Sequence, residues 1–256
     1  MKTHRLIFAL IASIPAVPLC QAASISQTFE AGEDTTNWGS TWTGGSTVST
    51  FLDPGFGGIS AGGGASLTQS FSRNFRNNTA GLDVETPYMI SMYVQVDSFD
   101  GAAGGLFEIV DGSYGSNNAA NLRILTVAPD QYKWQARDNN SGWQDVGMTL
   151  LLTDPYRVEL TVDPASFTYS ATVSSVDGSG GVIQSATLNN LAFDQNVINN
   201  NANGNLLFYI QANAGGTDVR VDNINIQSIP EPAMPLAAGS LAVAWTLARR
   251  RGYHNR

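Results

Sequence analysis

The fold class of this chain is decided by residues 156–173, which read YRVELTVDPASFTYSATV. Apolar and polar residues alternate from Tyr156 to Val162 and again from Phe167 to Val173, as expected for two strands that each bury one face. Between them, Asp163 and Pro164 begin a turn, because proline presets the backbone angle that a turn requires. The stretch therefore predicts an antiparallel β-hairpin.

Similar β-rich runs, bounded by Gly, Asp, Asn or Pro, occur along most of the chain. They cover residues 88–96, 106–110, 122–127, 206–212 and 219–226. Residues 132–137 are followed by a turn at 138–142 and by a run that starts at Trp143, a pattern that predicts a second hairpin. Tyr132 and Trp134 share one face of their strand, which favours the core. No stretch shows a sustained 3.6-residue apolar period with caps. We therefore expect an all-β protein, built as a single antiparallel β-sandwich.

Three segments of this body resemble known jelly-roll domains. These are residues 27–30 (QTFE) with Trp38 shortly after them, the central pair at 156–173, and the closing run at 219–224 (VRVDNI). Together they are similar to concanavalin A-like domains and to carbohydrate-binding modules. The resemblance implies that the first and last strands pair, which would bring the two ends of the body together.

The N-terminal 23 residues have the pattern of a secretory signal peptide. Lys2 and Arg5 supply a basic start, residues 6–14 an apolar segment, and Ala22 and Ala23 the small residues that a signal peptidase needs. Cleavage is expected after Ala22 or Ala23. The sandwich domain is then predicted to occupy residues 24–228.

Residues 229–256 have the pattern of a detachable sorting signal. Pro230, Glu231 and Pro232 interrupt regular structure, residues 233–248 are an apolar run, and Arg249, Arg250 and Arg251 begin a basic tail at 249–256. This order resembles the PEP-CTERM signal of Gram-negative, biofilm-forming bacteria, although the tail after Arg251 is longer than usual.

The PEP-CTERM resemblance implies processing by a membrane-embedded exosortase and delivery to the outer surface or the extracellular matrix. The apolar run has 16 residues, whereas crossing a bilayer takes roughly 20. We expect a short hydrophobic helix that holds the protein in the inner membrane only transiently. The alternative is an ordinary C-terminal membrane anchor.

Removal of both signals leaves a body without histidine or cysteine, because these residues occur only at His4, His254 and Cys20. Ser-His-Asp triads, cysteine nucleophiles, disulfides and zinc or copper sites with His or Cys ligands are thereby excluded. The body keeps 7 basic residues against 21 acidic ones, counting Glu231 at the cut, for a formal charge of −14. Nucleic acid is not expected as a partner, because its binding depends on Lys and Arg.

Sugar binding requires neither histidine nor cysteine. It needs aromatic rings that cover the apolar faces of pyranoses, and amides or acids that bond the hydroxyls. Trp42 and Trp143 are the candidate carbohydrate-binding residues, with Trp143 expected to be exposed just after a turn. Trp38 is favoured as a core residue. If every tryptophan were buried, a structural protein without a ligand would be the better interpretation.

A structural calcium ion is a second hypothesis, since hard oxygen ligands are plentiful in so acidic a body. Glu30 and Asp222 lie at places similar to the calcium ligands of jelly-roll carbohydrate-binding modules. No Asp-x-Asp-x-Asp-Gly loop occurs, so the site would be assembled from separate strands. No other cofactor is expected.

The alternative to a binding protein is a glycoside hydrolase or polysaccharide lyase that uses carboxylates alone. Concanavalin-like glucanases carry Glu-x-Asp-x-x-Glu on one strand, whereas residues 108–111 here read Glu-Ile-Val-Asp. Glu108 is expected to be an ordinary exposed strand residue, and no catalytic residue is assigned. We therefore expect an exported, non-catalytic structural or carbohydrate-binding component of an exopolysaccharide or biofilm matrix.

Overall fold

A computed structural model describes residues 22–29, 37–40, 43–44, 50–51, 64–67, 70–99, 106–112, 118–128, 130–193, 204–210 and 218–230. Fifteen β-strands occur in this part of the chain, which contains no helix. They are β1 (Ser24–Gln27), β2 (Thr43–Gly44), β3 (Thr50–Phe51), β4 (Gly64–Leu67), β5 (Phe71–Asn74), β6 (Tyr88–Ser98), β7 (Leu106–Asp111), β8 (Ala120–Ala128), β9 (Gln131–Asp138), β10 (Gly142–Leu150), β11 (Pro155–Asp163), β12 (Thr168–Val176), β13 (Val182–Ala192), β14 (Asn205–Ile210) and β15 (Asp218–Ser228).

The strands form two antiparallel sheets packed face to face. The eight-stranded sheet has the order β13-β12-β11-β6-β15-β4-β3, with β1 also paired to β15. The seven-stranded sheet has the order β10-β9-β8-β7-β14-β5-β2. The predicted all-β sandwich is confirmed.

Both predicted hairpins are present. β11 and β12 pair in register from Tyr156 opposite Ser175 to Asp163 opposite Thr168. Phe167, the last residue of their turn, has a φ of 53°. β9 and β10 form the second hairpin, with Trp143 opposite Arg137.

The first and last strands pair, as the jelly-roll resemblance implied. Ser24 lies opposite Gln227, and the Ser228 N–H donates to the Ala23 carbonyl at 2.9 Å. The last backbone hydrogen bond at this end joins the Ile229 N–H to the Pro87 carbonyl at 2.8 Å. The two ends of the sandwich are therefore held side by side.

The core lies between the sheets and uses the alternate residues of each strand. Trp134 of the seven-stranded sheet is fully buried and lies 5.8 Å from the ring of Tyr156 in the opposite sheet. Tyr88 and Asp111 join the two sheets by a buried hydrogen bond of 2.5 Å from the phenol to the carboxylate. The apolar alternation in the sequence thus becomes one shared core.

β13 is a long edge strand that the sequence pattern did not predict. Most of its side chains are exposed, and Ile183 is 70% exposed. Ala186, Leu188 and Leu191 of this strand contact the core, but Val182 and Ile183 are exposed, so the strand has no clean period-2 apolar signal. The predicted C-terminal hydrophobic helix lies outside the described residues, among which no helix is long and apolar enough to cross a membrane.

Candidate functional site

The outer face of the seven-stranded sheet carries an unusual set of polar side chains. In β9, Tyr132, Trp134 and Ala136 point into the core, so the intervening residues point outward. Cross-strand partners lie on the same face, and the pairing therefore extends this set over the neighbouring strands. We call it the polar face; it comprises Glu108, Asn121, Arg123, Lys133, Gln135, Arg137, Trp143, Asp145 and Tyr209.

The strand register aligns five of these residues in one row across five strands. Asp145 lies opposite Gln135, and Gln135 lies opposite Arg123. Arg123 lies opposite Glu108, which in turn lies opposite Tyr209. Hydrogen-bonded strands hold such a row rigidly, which is the property that a binding surface needs.

The guanidinium of Arg123 is the best-positioned group on the polar face. Its Nε and Nη2 atoms donate to Oε1 of Gln135 at 2.9 and 2.8 Å. Its Cζ atom lies 3.8 Å from the centroid of the Trp143 ring, and the Cζ atom of Arg137 lies 5.7 Å from the same centroid. Stacking on an indole and a two-pronged hydrogen bond together fix the plane of the guanidinium.

The charges around Arg123 act in opposite directions on its pKa. Burial lowers the pKa of Arg123, the Glu108 carboxylate raises it, and the Arg137 guanidinium lowers it. Arginine stays protonated in proteins in spite of such shifts. The polar face therefore keeps two neighbouring positive guanidinium groups.

The side chains of the polar face become more buried from the edge towards the middle of the sheet. Lys133 and Asp145 are exposed and form an ion pair of 2.9 Å. Gln135, Arg123 and Trp143 are half-buried. Further in, Glu108 and Asn121 are fully buried. A ligand that enters from the β10 edge would meet progressively drier polar groups.

The side chain of Asn121 ends in an amide that lies in this buried part of the face. Both polar atoms of its side-chain amide are buried, and neither has a hydrogen-bond partner in the described part of the chain. A buried amide left unpaired costs roughly 1–3 kcal/mol, and such groups in folded proteins usually bind water or a ligand. The amide of Asn121 is thus a buried polar group beneath the polar face, and neither of its polar atoms is exposed at the surface.

The expectation that Glu108 is an exposed strand residue is wrong. Glu108 is fully buried, although its side chain lies on the outer face of β7, between β8 and β14. The other carboxylate that the register places on this face, among the described residues, is Asp145. It lies three strands away, or about 14 Å at about 4.8 Å per strand, whereas paired catalytic carboxylates of glycosidases are roughly 5–10 Å apart.

The structure separates the tryptophans. Trp143 lies on the polar face and is half-buried, not fully exposed as expected. Trp134 and Trp38 are core residues, as predicted, at 0% and 4% exposure. The Trp38 ring nitrogen donates to the Ser26 carbonyl at 3.1 Å. The other sugar-binding candidate, Trp42, lies outside the described residues.

Of the two residues predicted as calcium ligands, only Asp222 belongs to the part of the chain that the structure describes. Asp222 is fully buried beside a bulge in β15, where its Oδ1 accepts the Asn223 N–H at 2.7 Å. Glu30 lies outside the described residues. Among those that are described, no group of three or more His, Cys, Asp or Glu residues is placed to hold a metal ion.

Only one residue of the predicted sorting motif is described. Pro230 is exposed directly after the end of the sandwich. Glu231, Pro232, Arg249, Arg250 and Arg251 lie outside the described residues.

A pocket of about 510 Å³ at one end of the sandwich was not predicted. It lies between the β9–β10 turn, the β11–β12 turn and the end of β13, and includes Asn139, Asn140 and Phe167. Phe167 is 51% exposed, and its ring meets that of Phe193 edge-on at 5.9 Å. The sequence signal was Phe167 itself, an aromatic residue next to a turn, which was interpreted as a strand residue.

Fold and site together define an antiparallel β-sandwich with a polar face that combines an indole, two guanidinium groups and buried hydrogen-bonding side chains. No family model matches the sequence, and no curated protein is similar to it in sequence.

Several solved structures are similar to this one at low sequence identity. A carbohydrate-binding module, CBM2 of the evolved Dit protein of Lactobacillus casei BL23 phage J-1, is 15% identical with a TM-score of 0.46, covering 84% of this chain and 100% of the module. Peanut lectin is 13% identical with a TM-score of 0.45, covering 83% of this chain and 100% of the lectin.

A structure of botulinum neurotoxin type C is 11% identical with a TM-score of 0.48. That toxin enters cells in a way that depends on interaction with two ganglioside molecules. The match covers 80% of this chain and 47% of the toxin structure, so this chain spans about half of that length. These likenesses concern the layout of strands, and nothing about ligand or activity follows from them.

Proposed function

We propose that this protein is an exported, non-catalytic component of an extracellular polysaccharide matrix, and that the polar face is its glycan-binding surface. The observation that carries the proposal is the half-buried ring of Trp143 stacked on Arg123, whose guanidinium is held by Gln135. An indole covers the apolar face of a sugar ring, and the neighbouring groups bond its hydroxyls.

The position of these groups on strands supports a binding role. Arg123 and Gln135 lie on adjacent, fully paired strands, and Trp143 belongs to the next hairpin strand. Their side chains are already oriented by mutual contacts, so that binding orders few new groups and loses little entropy. The wide separation of Glu108 from Asp145 favours binding over carboxylate-only hydrolysis or lyase chemistry.

The proposal includes export and sorting by the C-terminal signal. Its partners are an exosortase, the inner membrane for a short time through residues 233–248, and then the polysaccharide of the matrix. In support, the hydrogen-bonded sandwich begins at Ala23 and extends to Ile229, next to the two predicted cleavage regions. Pro230 is exposed and so accessible to a processing enzyme.

A glycan array with the purified protein, run with and without calcium, tests the binding role. We expect binding to one or more polysaccharides, and loss of that binding in Trp143→Ala while the far-ultraviolet circular dichroism spectrum stays unchanged. Phe167→Ala, which removes an exposed aromatic ring outside the polar face, is the matched control and should bind normally. Absence of binding in both conditions would refute the proposal, and loss in Phe167→Ala alone would move the site to the end pocket.

A further inference from the structure

We infer that the glycan recognised by the polar face is anionic, with acidic groups that Arg123 and Arg137 bind while Trp143 contacts the sugar ring. This inference rests on the proposed function and names the class of its ligand. It is argued from the distribution of charge over the sandwich.

The polar face is positive although the body is strongly negative. The body, counted with Glu231 at the predicted cut, has a formal charge of −14, with only 7 basic residues. Three of these seven, Arg123, Lys133 and Arg137, lie on the polar face. With the carboxylates of Glu108 and Asp145, the described residues that make up the face have a net charge of +1; Asp138, which interacts electrostatically with Arg137, lies outside this set. A local positive potential on a negative body attracts anions.

Three of the other four basic residues of the body form ion pairs with carboxylates, whereas Arg73, the fourth, donates to the Gln27 side-chain oxygen and the Ser40 carbonyl and lies over the Trp38 ring. Arg157 pairs with Glu159 at 2.7 Å, and Arg220 pairs with Asp97 on the outer face of the other sheet. Arg76 likewise pairs with Glu85. With three times as many acidic as basic residues, a carboxylate is available to nearly every cation.

Arg123 departs from this pattern. None of the ion pairs that join described residues includes Arg123, and its hydrogen bonds go to the neutral amide oxygen of Gln135. Its Nη1 group makes no hydrogen bond within the described part of the chain. A guanidinium binds a carboxylate best through two parallel hydrogen bonds, and the outer edge of this one is still available for such a contact.

The neighbouring groups favour a sugar acid over other anions. Duplex DNA carries a charge about every 1.7 Å, and a face of net charge +1 on a body of −14 cannot neutralise that density. Trp143 offers instead a flat apolar surface beside the cations, which suits a sugar ring whose acidic substituent reaches Arg123. The chemistry that matches the face is therefore a pyranose with a carboxylate or sulfate group.

Paired polysaccharides that differ only in charge test this inference by isothermal titration calorimetry. The charged and neutral members are polygalacturonate and its methyl ester, and dextran sulfate and dextran, each measured at 20 and 500 mM NaCl. We expect binding of a charged member at least tenfold tighter than its neutral partner at low salt, and a smaller ratio at high salt, because salt screens exposed charges. Preferential binding of polygalacturonate alone indicates a carboxylate ligand, and preferential binding of dextran sulfate alone indicates a sulfate ligand.

The single variants Arg123→Gln and Arg137→Gln should each remove the preference for the charged member. Two variants are used so that the test still stands if one of them does not fold. Arg157→Gln, which removes an already paired cation from the opposite sheet, should retain the preference. Equal binding of charged and neutral members, or a preference that survives both polar-face variants, refutes the anionic ligand and leaves glycan binding intact. Binding to single-stranded DNA as tight as to the charged glycan also refutes it, whereas binding to none of the four polysaccharides contradicts the proposed function.

Discussion

Arg123 and Trp143 stack at 3.8 Å although they lie on strands that are not neighbours. Arg123 belongs to β8 and Trp143 to β10, and β9 lies between them. The indole must therefore lie across β9, over its own cross-strand partner Arg137. This arrangement keeps the ring close to the sheet surface and places it beside two cations.

Replacement of Trp143 by alanine should weaken glycan binding at least tenfold. An aromatic contact contributes on the order of 1.4 kcal/mol, which corresponds to a factor of ten in Kd. The same change should lower the free energy of unfolding by about 1–2 kcal/mol, because a half-buried ring and its stacking with Arg123 are lost. Titration calorimetry and urea denaturation measure the two effects, and an unchanged Kd in a folded variant contradicts the role of the ring.

The pairing of β1 with β15 should contribute strongly to stability. Ile25 is 1% exposed and packs in the core from the first strand, whereas its neighbour Ser24 is exposed. Ile25→Ala should lower the free energy of unfolding by about 2–5 kcal/mol, and Ser24→Ala, the matched control, by less than about 0.5 kcal/mol. Equal midpoints in urea for the two variants would show that the first strand is dispensable.

Asp138 lies at the end of the sandwich near the pocket, and protonation of its carboxylate at low pH should lower the free energy of unfolding. Burial raises the pKa of Asp138, but hydrogen bonds from the Ser141 hydroxyl and from the Asn140 and Ala192 N–H groups outweigh it, so that the pKa lies below its ordinary value of 3.8. A carboxyl group with a lowered pKa in the folded state stabilises the protein above the unfolded-state pKa. That stabilisation is lost as the pH falls below 3.8 and through the folded-state pKa.

Urea denaturation at pH 6, 4 and 3 measures this effect. The loss of stability between pH 4 and pH 3 should be smaller in Asp138→Asn than in the wild-type protein. Ser141→Ala removes one of the hydrogen bonds and should reduce the loss partly. An identical pH dependence in Asp138→Asn and wild type would remove Asp138 as a contributor.

The sorting signal predicts the mass of the exported product. Mass spectrometry of the secreted protein from its native host should find a chain that starts at Ala23 or Ser24 and lacks residues 233–256. The double change Pro230→Ala and Pro232→Ala should keep the C-terminal segment attached and the protein in the membrane fraction. Secreted wild-type protein that retains residues 233–256, or wild-type protein that is soluble in the cytosol, contradicts this assignment.

The sequence predicted most of the long strands that bury one face, and it did not predict β4, β5 or the edge strand β13. β11 and β12 alternate cleanly because one side of each packs on the core. β13 was overlooked since most of its residues face solvent on both sides. The alternation of β7 places Glu108 on the outer face of the sheet, but its burial there depends on tertiary contacts that the local pattern does not encode.

The order of residues alone determined the all-β class, both hairpins and a body without imidazole or thiol chemistry, because these depend on local alternation, turn residues and composition. Only the tertiary structure decided that Arg123, Gln135 and Trp143, from three different strands, meet on one face. Strand order and register are set by the packing of whole sheets, and no local pattern encodes them. The candidate binding surface is therefore a property of the assembled sandwich.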